Sequence, residues 1–255
     1  MDLNGKKVLV TGGGRGIGRE IVLELDRMGA MPLLIGRDEA SLEATASELS
    51  VPFETRSVDL SDRSEVDELI AWCRSEHPDL SVLVNNAAVQ HELDLVGGDA
   101  DTSMARAREE IVVNLGASVA LAVGLLPLLA INERGLIANV TTGLAFAPKE
   151  ASPVYCATKA GLHAFTQALR YQCERSAPHV RVTEVILPLV DTDMTRGRGT
   201  GKVTPEAAAH AIMEGIVSGR AEVWVGKAKL LRVLRRIAPS LPERILRGGG
   251  VDRTR

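Results

Sequence analysis

Short apolar segments alternate with amphipathic segments along the whole chain. Several of the apolar segments are β-branched and lack a polar face, which is typical of strands covered on both sides in a parallel sheet. They predict strands at residues 6–10, 31–35, 53–58, 81–84, 136–141, 180–186 and 222–225. The stretches between them have helical periodicity and predict helices at residues 16–29, 38–49, 62–76, 103–131, 153–175 and 205–218.

The regular alternation of strand and helix predicts the fold class. It is typical of a doubly wound α/β sheet with right-handed crossovers, in which helices cover both faces of parallel strands. We therefore expect one Rossmann-type α/β domain with a seven-stranded parallel sheet over residues 1–226. No repeat or linker indicates a second domain, and residues 227–255 are expected to form a basic extension packed on or extending from the same domain.

The longest uncharged run, residues 115–131, approaches the roughly 18 residues expected of a membrane span. Gly116, Gly124 and Pro127 lie within it, and the elements on either side are typical of a soluble protein. A helix buried against the sheet explains the run better than a membrane span does.

Composition narrows the classes of function. A chain of 255 residues, 45% hydrophobic with a net charge of −3, can bury a full core and gives no overall reason to expect nucleic acid. Its three cysteines form no CxxC pair, and the first apolar run is too short for a secretory signal. We therefore expect a cytoplasmic protein with a small-molecule partner and no metal site.

A glycine-rich turn, TGGGRGIG at residues 11–18, follows the first predicted strand and opens a helix. Glycines in this position permit a tight turn and a close approach of the backbone to a pyrophosphate, while the helix N-terminus offers N–H donors to the anion. The turn predicts a dinucleotide site. An ordinary strand-to-helix turn is the alternative that the motif alone leaves open.

Charge indicates which dinucleotide would bind. An enzyme that uses NAD usually carries an acidic residue at the end of the second strand, where it holds the ribose 2′-hydroxyl. Here that strand ends in Gly36 and Arg37, and Arg15 lies inside the glycine turn. Both arginines could pair with a 2′-phosphate, so we expect NADP(H) in preference to NAD(H). Alternatively, Arg37 is a solvated loop cation and Asp38 caps the next helix.

Tyr155 and Lys159 are four residues apart at the start of a predicted helix, so their side chains share one face. A neighbouring ammonium lowers the pKa of a phenol from about 10, which would make Tyr155 an acid–base catalyst. Thr142, thirteen residues earlier at the end of a predicted strand, could hold a carbonyl oxygen. The alternative for the pair in isolation is a half-buried tyrosine beside a surface lysine.

These motifs resemble the short-chain dehydrogenase/reductase family over nearly the whole chain, to about residue 226. The resemblance also includes NNAA at residues 85–88, NVTTG at 139–143, YCATK at 155–159 and PLVDTDM at 188–194. It implies that Tyr155 donates or accepts the proton, that Lys159 tunes it and holds the nicotinamide ribose, and that Asn114 anchors a water chain to Lys159. It further implies that the cofactor is bound by Gly12, Arg15, Ile17, Gly18, Asp59, Leu60, Asn86 and Thr192.

Three positions depart from the family pattern. Thr142 replaces the usual serine, which keeps the hydroxyl but adds a methyl group and stiffens χ1. Ala88 and Leu189 stand where glycines are common, near the expected meeting point of cofactor and substrate. We expect both to reshape the pocket.

The sequence therefore predicts an NADP(H)-dependent oxidoreductase of the ketoreductase or alcohol dehydrogenase type, acting on a carbonyl or alcohol substrate. A non-catalytic NADP(H)-binding regulator of the same fold and a sugar-nucleotide epimerase or dehydratase are the alternatives. By resemblance, the helices at residues 115–131 and 153–175 would pack subunits into a homodimer or homotetramer.

The basic extension contains a possible amphipathic helix. Its apolar stripe comprises Leu230, Leu231, Val233, Leu234 and Ile237, and its basic residues include Lys229, Arg232, Arg235 and Arg236. A terminal helix docked on its own protein is the first interpretation, and a lid, a partner contact or a membrane-surface helix are the alternatives.

Overall fold

A computed structural model describes residues 1–238 and 246–247, without the side chains of Arg235 and Arg236. Among these residues, seven parallel strands form one sheet in the order β3-β2-β1-β4-β5-β6-β7. The strands are β1 (Lys7–Thr11), β2 (Met31–Gly36), β3 (Glu54–Ser57), β4 (Leu80–Asn85), β5 (Gly135–Thr142), β6 (Val180–Leu187) and β7 (Glu222–Trp224). The predicted fold class is confirmed.

Helices cover both faces of the sheet. They are α1 (Gly16–Arg27), α2 (Glu39–Ala46), α3 (Arg63–Glu76), α4 (Ala100–Ile111), α5 (Ser118–Ile131), α6 (Pro153–Ser176), α7 (Pro205–Val217) and α8 (Ala228–Ile237). Successive residues of a strand point to opposite faces, so Val8 and Val10 join one core cluster and Leu9 joins the other. The sheet therefore separates two apolar layers.

The strand order creates a crevice. The chain builds outward from β1 through β2 to β3 and then crosses back to place β4 on the other side of β1. The loops after β1 and β4 consequently diverge at the carboxyl edge of the sheet. A switch point of this kind is where open α/β sheets bind ligands.

The apolar run at residues 115–131 belongs mostly to α5. In the described part of the chain, the continuous helical stretch Ala100–Ile131 is long and apolar enough to cross a membrane. Leu121, Leu125 and Leu129 of α5 are fully buried in the core between helix and sheet. This packing agrees with the predicted helix buried against the sheet.

The structure divides the predicted single helix at residues 103–131. A wide π-helical turn, Val112–Ala117, separates α4 from α5. Asn114 lies in this turn, where its side-chain Nδ2 donates to the carbonyl oxygen of Val89 and its Oδ1 accepts from the N–H of Val89, both at 2.8 Å. The π-helical turn therefore lies at the point where the helix contacts the loop after β4.

Helix α8 confirms part of the predicted terminal amphipathic segment. Ala228 is buried and Leu231 partly buried against Ile186 and Trp224, so one side of α8 packs on its own protein. Leu230, Val233 and Ile237 are exposed. Residues 239–245 and 248–255 and the side chains of Arg235 and Arg236 lie outside the described part of the chain.

A buried amide network joins α6 to the centre of the sheet. The side-chain amide of Asn85 on β4 donates to Asn139 Oδ1 on β5 at 2.9 Å, and Asn139 Nδ2 donates to Thr166 Oγ1 on α6 at 2.9 Å. Asn139 and Thr166 have no exposed surface. Because buried polar groups are costly without partners, this network fixes the height of α6 over the sheet.

Replacing Thr166 with valine is expected to lower the free energy of unfolding by about 1–3 kcal/mol, because the Asn139 amide loses its acceptor in a buried position. Urea denaturation would show the loss as a lower midpoint with an unchanged slope. The matched control is Thr166→Ser, which keeps the hydroxyl and should lose less. A loss in the valine variant no larger than the loss in the serine variant would contradict the importance of this hydrogen bond.

Candidate functional site

A cleft with a volume of about 1050 Å³ lies at the carboxyl edge of the sheet, along the switch point between β1 and β4. The loops after β1, β2, β4, β5 and β6 line it, and we call it the main cleft. It brings together twelve of the thirteen predicted site residues: Gly12, Arg15, Ile17, Gly18, Arg37, Asp59, Leu60, Asn86, Thr142, Tyr155, Lys159 and Thr192. Asn114 lies outside the lining.

The glycine turn folds tightly onto the start of α1. Gly12 has a φ of +70°, a left-handed conformation that favours glycine. A Cβ atom on Gly18 would lie 1.9 Å from the carbonyl oxygen of Gly12, so any side chain there would push the turn and the helix apart. The described first turn of α1 has no acidic residue. The turn is therefore shaped and charged to receive an anion at the helix N-terminus.

Asn86 and Asp59 are already engaged within the protein. Asn86 Nδ2 donates to the carbonyl oxygen of Thr11 at 3.0 Å, which ties the end of β4 to the end of β1. Asp59 Oδ1 accepts from the N–H and the hydroxyl of Ser61 at 2.9 and 2.8 Å. Both residues line the main cleft. Their hydrogen bonds show a structural role for each side chain, and their contact with a cofactor stays a prediction.

Charges of both signs lie at the end of β2. A guanidinium nitrogen of Arg37 is 3.5 Å from Glu109 Oε1, and half of the Arg37 side chain is exposed. The Ser41 hydroxyl bonds the Asp38 carboxylate, and this bond lowers the pKa of Asp38, with a smaller contribution from the charge of Arg15. Arg15, Arg37 and Asp38 all border the main cleft. The two cations therefore face this end of the cleft with acidic neighbours.

Tyr155 and Lys159 lie in the first turns of α6, where the helix abuts the carboxyl ends of the strands. Only 9% of Tyr155 and 3% of Lys159 is exposed. Lys159 Nζ donates to the carbonyl oxygen of Val140 at 2.9 Å and lies 5.9 Å from the centroid of the Tyr155 ring. The predicted pairing of the two side chains on one helix face is confirmed, whereas the predicted surface position of the lysine in the alternative interpretation is wrong.

The electrostatics correct one prediction. Burial raises the pKa of the Tyr155 phenol above its ordinary value, and it lowers the pKa of Lys159 to about 8. The net shift of the Tyr155 pKa is therefore opposite in direction to the one predicted from the helical spacing. Desolvation disfavours the charged phenolate relative to the neutral phenol, and it is the largest influence on this pKa.

Thr142 is the last residue of β5, and its side chain caps the short helical turn Gly143–Ala145. Its Oγ1 accepts from the N–H of Leu144 at 3.4 Å, a long hydrogen bond. The hydroxyl lies on the lining of the main cleft together with Tyr155 and Lys159. The sheet and the helix thus bring three of the four predicted catalytic side chains to one cavity, and the fourth, Asn114, lies outside its lining.

Asn114 supports the wall of the main cleft without lining it. Its two hydrogen bonds to Val89 resemble those of a neighbouring strand, and they hold the loop after β4, which does line the cleft. Its Nδ2 also lies 3.4 Å from Thr158 Oγ1 on α6. Asn114 therefore connects the loop to the catalytic helix, and the water chain implied by the resemblance stays a prediction.

Several polar residues around the cleft belong to none of the sequence motifs. His91 Nε2 lies 2.9 Å from Glu109 Oε2, and the fully buried Glu110 accepts the N–H of His91 at 2.5 Å. Burial raises the pKa of the Glu110 carboxyl, whose other oxygen, within the described part of the chain, has no hydrogen-bond partner. Lys149 and Arg198 also line the cleft. Arg198 belongs to the glycine-rich segment 193–203, which the sequence predicts at the substrate entrance, whereas the loop of Lys149 carries no signal that indicated its position.

Comparisons with known proteins agree with this architecture. The family model described as short chain dehydrogenase matches residues 6–202. An uncharacterized oxidoreductase, DltE from Bacillus subtilis, is 35% identical over 238 residues, which cover 91% of this chain and 92% of that protein.

Two solved structures share the fold. A short chain dehydrogenase from Burkholderia cenocepacia J2315 in complex with NADP has a TM-score of 0.82 at 23% identity, with 96% of this chain and 99% of that chain covered. A short chain dehydrogenase/reductase from Burkholderia phymatum in complex with NAD has a TM-score of 0.83 at 19% identity, with 98% of each chain covered.

The burial of Lys159 has a measurable consequence for stability. Because its pKa is about 8 in the folded protein and 10.5 when unperturbed, the unfolded chain holds a proton that the folded protein has lost between these values. We expect the stability of the wild type, relative to Lys159→Met, to rise by up to about 1.4 kcal/mol per pH unit between pH 8 and 10.5. Below pH 8 the difference should be constant.

Chemical denaturation of both proteins at several pH values measures this difference. Below pH 10 the phenol of Tyr155 stays protonated in both folded proteins, so its titration does not contribute to the difference. A pH-independent difference between wild type and variant would contradict the lowered Lys159 pKa.

Proposed function

The chain belongs to the short-chain dehydrogenase/reductase family, and from this premise we propose that it is an NADP(H)-dependent oxidoreductase that interconverts a carbonyl and an alcohol. The observation that carries the proposal is the convergence of Thr142, Tyr155 and Lys159 on the cleft that also contains the glycine turn. One cavity can therefore hold a dinucleotide and a small substrate side by side.

The residues of the cleft fit a dinucleotide. The left-handed Gly12 and the close contact of Gly18 with it leave the backbone of the turn accessible to a pyrophosphate, and Ile17, Asp59, Leu60 and Asn86 border the adjoining adenosine side. Thr192, which begins the short turn Asp193–Thr195, would meet the nicotinamide carboxamide. Bound NADP(H) supplies the hydride that moves to or from the substrate carbon.

Arg15 and Arg37 support NADP(H) in preference to NAD(H). Both line the cleft beyond the end of β2, where a 2′-phosphate would lie, and Arg37 faces the cleft with half of its side chain exposed. Guanidinium groups bind phosphate through paired hydrogen bonds. Asp38 carries the opposite charge at the same end of the cleft, and the Ser41 hydroxyl holds its carboxylate in place.

Tyr155 acts as the proton donor during carbonyl reduction. Burial keeps its phenol protonated at neutral pH, while Lys159, with a pKa of about 8, is still mostly charged there. Thr142 and Tyr155 together hold the substrate oxygen and stabilise the negative charge that develops on it. Lys159 then supports the phenolate left behind, and Asn114 keeps the neighbouring loop in place.

A non-catalytic NADP(H)-binding regulator is the second candidate. The observations that favour it are the threonine at position 142 and the raised pKa of Tyr155, because both reduce the readiness of the site for proton transfer. Tight binding of NADPH without reduction of any ketone or aldehyde in a broad panel would support the regulator.

The proposal also covers the domain bounds, the cellular location and the oligomeric state of the enzyme. Residues 1–226 form the catalytic domain, with residues 227–255 as its extension, and the protein is cytoplasmic. A homodimer or homotetramer forms through α5, α6 and the adjoining π turn. Exposed apolar side chains on these elements, Val112, Val123, Ile131 and Tyr171, support this assembly.

Replacing Tyr155 with phenylalanine is expected to lower kcat/KM for NADPH-dependent carbonyl reduction by about 10²–10⁴, because the proton donor is lost. Loss of NADPH absorbance measures the rate, and calorimetry should show that NADPH still binds. Tyr171→Phe, on the exposed side of α6, is the matched control. Reduction at the wild-type rate by the Tyr155 variant would contradict the mechanism.

Thr142→Ser should retain the activity, whereas Thr142→Val should lower kcat by about 10²–10³, as expected when one donor to the substrate oxygen is removed. The two variants are compared under saturating NADPH. Equal activity of the valine and serine variants would show that the hydroxyl does not contact the substrate.

The double variant Arg15→Gln, Arg37→Gln is expected to weaken NADPH binding by about 10²–10⁴-fold, because the two charge-assisted contacts contribute about 1.5–3 kcal/mol each. NADH binding should change little. Arg27→Gln, whose side chain is 63% exposed at the far end of α1, is the control. Equal weakening of both cofactors would contradict recognition of a 2′-phosphate.

A further inference from the structure

Three loops meet at the mouth of the main cleft, and each contributes a charged or amide side chain. Gln90 and Glu92 come from the loop after β4, Lys149 from the loop after β5 and Arg198 from the loop after β6. Lys149 Nζ lies 3.1 Å from Glu92 Oε1, and Arg198 Nε lies 3.5 Å from the same oxygen. Two cations therefore share one carboxylate.

The cations face inward and the carboxylate faces outward. The exposed fraction of the side chain is 11% for Lys149 and 26% for Arg198, but 44% for Glu92. Lys149 and Arg198 line the main cleft, whereas Glu92 is not part of the described lining. The cleft wall at this point consequently carries a net positive charge.

The guanidinium of Arg198 is held for contact with a second acceptor. One of its terminal nitrogens donates to Gln90 Oε1 at 3.0 Å, and Gln90 Nε2 in turn donates to the buried Ser152 Oγ at 3.2 Å. A planar guanidinium fixed in this way keeps further N–H donors for a carboxylate, and the preorganisation lowers the entropy lost on binding.

Arg198 also lies near the proposed proton donor. Burial is the largest influence on the Tyr155 pKa and raises it, but the charge of Arg198 acts on the phenol in the opposite direction. Because Tyr155, Lys149 and Arg198 line the same cleft, a substrate whose carbonyl oxygen contacts Tyr155 can place an anionic group against Arg198 and Lys149.

Acidic residues that do line the cleft are engaged elsewhere. Glu109 is paired with His91 at 2.9 Å, and Asp193 is paired with Arg196 on the outer surface of the loop after β6. Glu92 is thus the carboxylate that pairs with both cations. An anionic substrate would compete with Glu92 for Lys149 and Arg198.

We propose that Arg198 and Lys149 form a carboxylate-binding subsite, so that the substrates of this enzyme are ketones or aldehydes that carry a carboxylate group. This assignment rests on the proposed oxidoreductase function and goes beyond it by naming the substrate class. Arg198 provides the paired hydrogen bonds, and Lys149 adds a point charge.

The test compares carbonyl compounds that differ only in charge. NADPH-dependent reduction of levulinate and of para-formylbenzoate is measured beside reduction of their methyl esters. For at least one of the two pairs, the wild type should have a higher kcat/KM for the acid than for the ester. Arg198→Gln should lower the acid-to-ester ratio by about tenfold, mainly through the KM for the acid, since one charge-assisted contact is lost.

Two further variants separate charge from structure. Arg196→Gln, in the same loop with a side chain 82% exposed, should leave the ratio unchanged. Glu92→Gln removes the competing carboxylate and should raise the ratio. A preference for the ester in both pairs, an unchanged ratio in Arg198→Gln, or a fall in Glu92→Gln would overturn the proposal.

A binding measurement distinguishes failure of this proposal from failure of the proposed function. Benzoate, an unreactive carboxylate, is titrated into wild type and Arg198→Gln by calorimetry in the presence of NADP⁺. Binding that weakens by about tenfold in the variant supports the subsite even when no carbonyl compound is reduced. Equal binding to both proteins, or none to either, overturns the subsite whatever the outcome of the activity assays.

Discussion

The burial of two ionisable side chains at the start of α6 is the constraint on which the rest of the site depends. Tyr155 and Lys159 are held against the carboxyl ends of β5 and β6, where water is largely excluded. Exclusion of water drives both groups toward their neutral forms and sets their protonation at neutral pH. It also makes the position of α6 critical, because a small displacement would admit solvent.

The sheet supplies that position. Lys159 bonds the carbonyl oxygen of Val140 on β5, and seven residues further along α6 Thr166 bonds Asn139 on the same strand. The neighbouring strands are joined to the same hydrogen-bond network. Asn85 of β4 bonds Asn139, and Asn86 bonds Thr11, which ties the end of β4 to β1. The contacts that stabilise the fold are therefore the ones that place the glycine turn and the proposed catalytic helix on opposite sides of one cleft.

Much of the fold could be predicted from the sequence because its signals are local. Apolar strand segments, the glycine turn and the helical spacing of Tyr155 and Lys159 each depend on residues close together in the chain, and the structure confirms all three elements. The spacing could not predict how burial acts on the Tyr155 pKa, because desolvation depends on packing from distant segments. It likewise could not predict that Asn114 would pair with Val89 across a π-helical turn, or that Lys149 and Arg198 would meet at Glu92. These contacts join loops whose paths follow from tertiary structure.

The most direct test of the central claim is the titration of the Tyr155 phenol itself. The chain has two tyrosines, so NMR spectra of protein labelled with ¹³C at the tyrosine Cζ would contain two signals, and Tyr171→Phe would assign them. If burial governs the site, the Tyr155 signal keeps the chemical shift of a protonated phenol at pH values above its ordinary pKa of about 10. A titration midpoint below that value in the protein alone would show that Lys159 outweighs burial, and would contradict the account of how the site holds its proton.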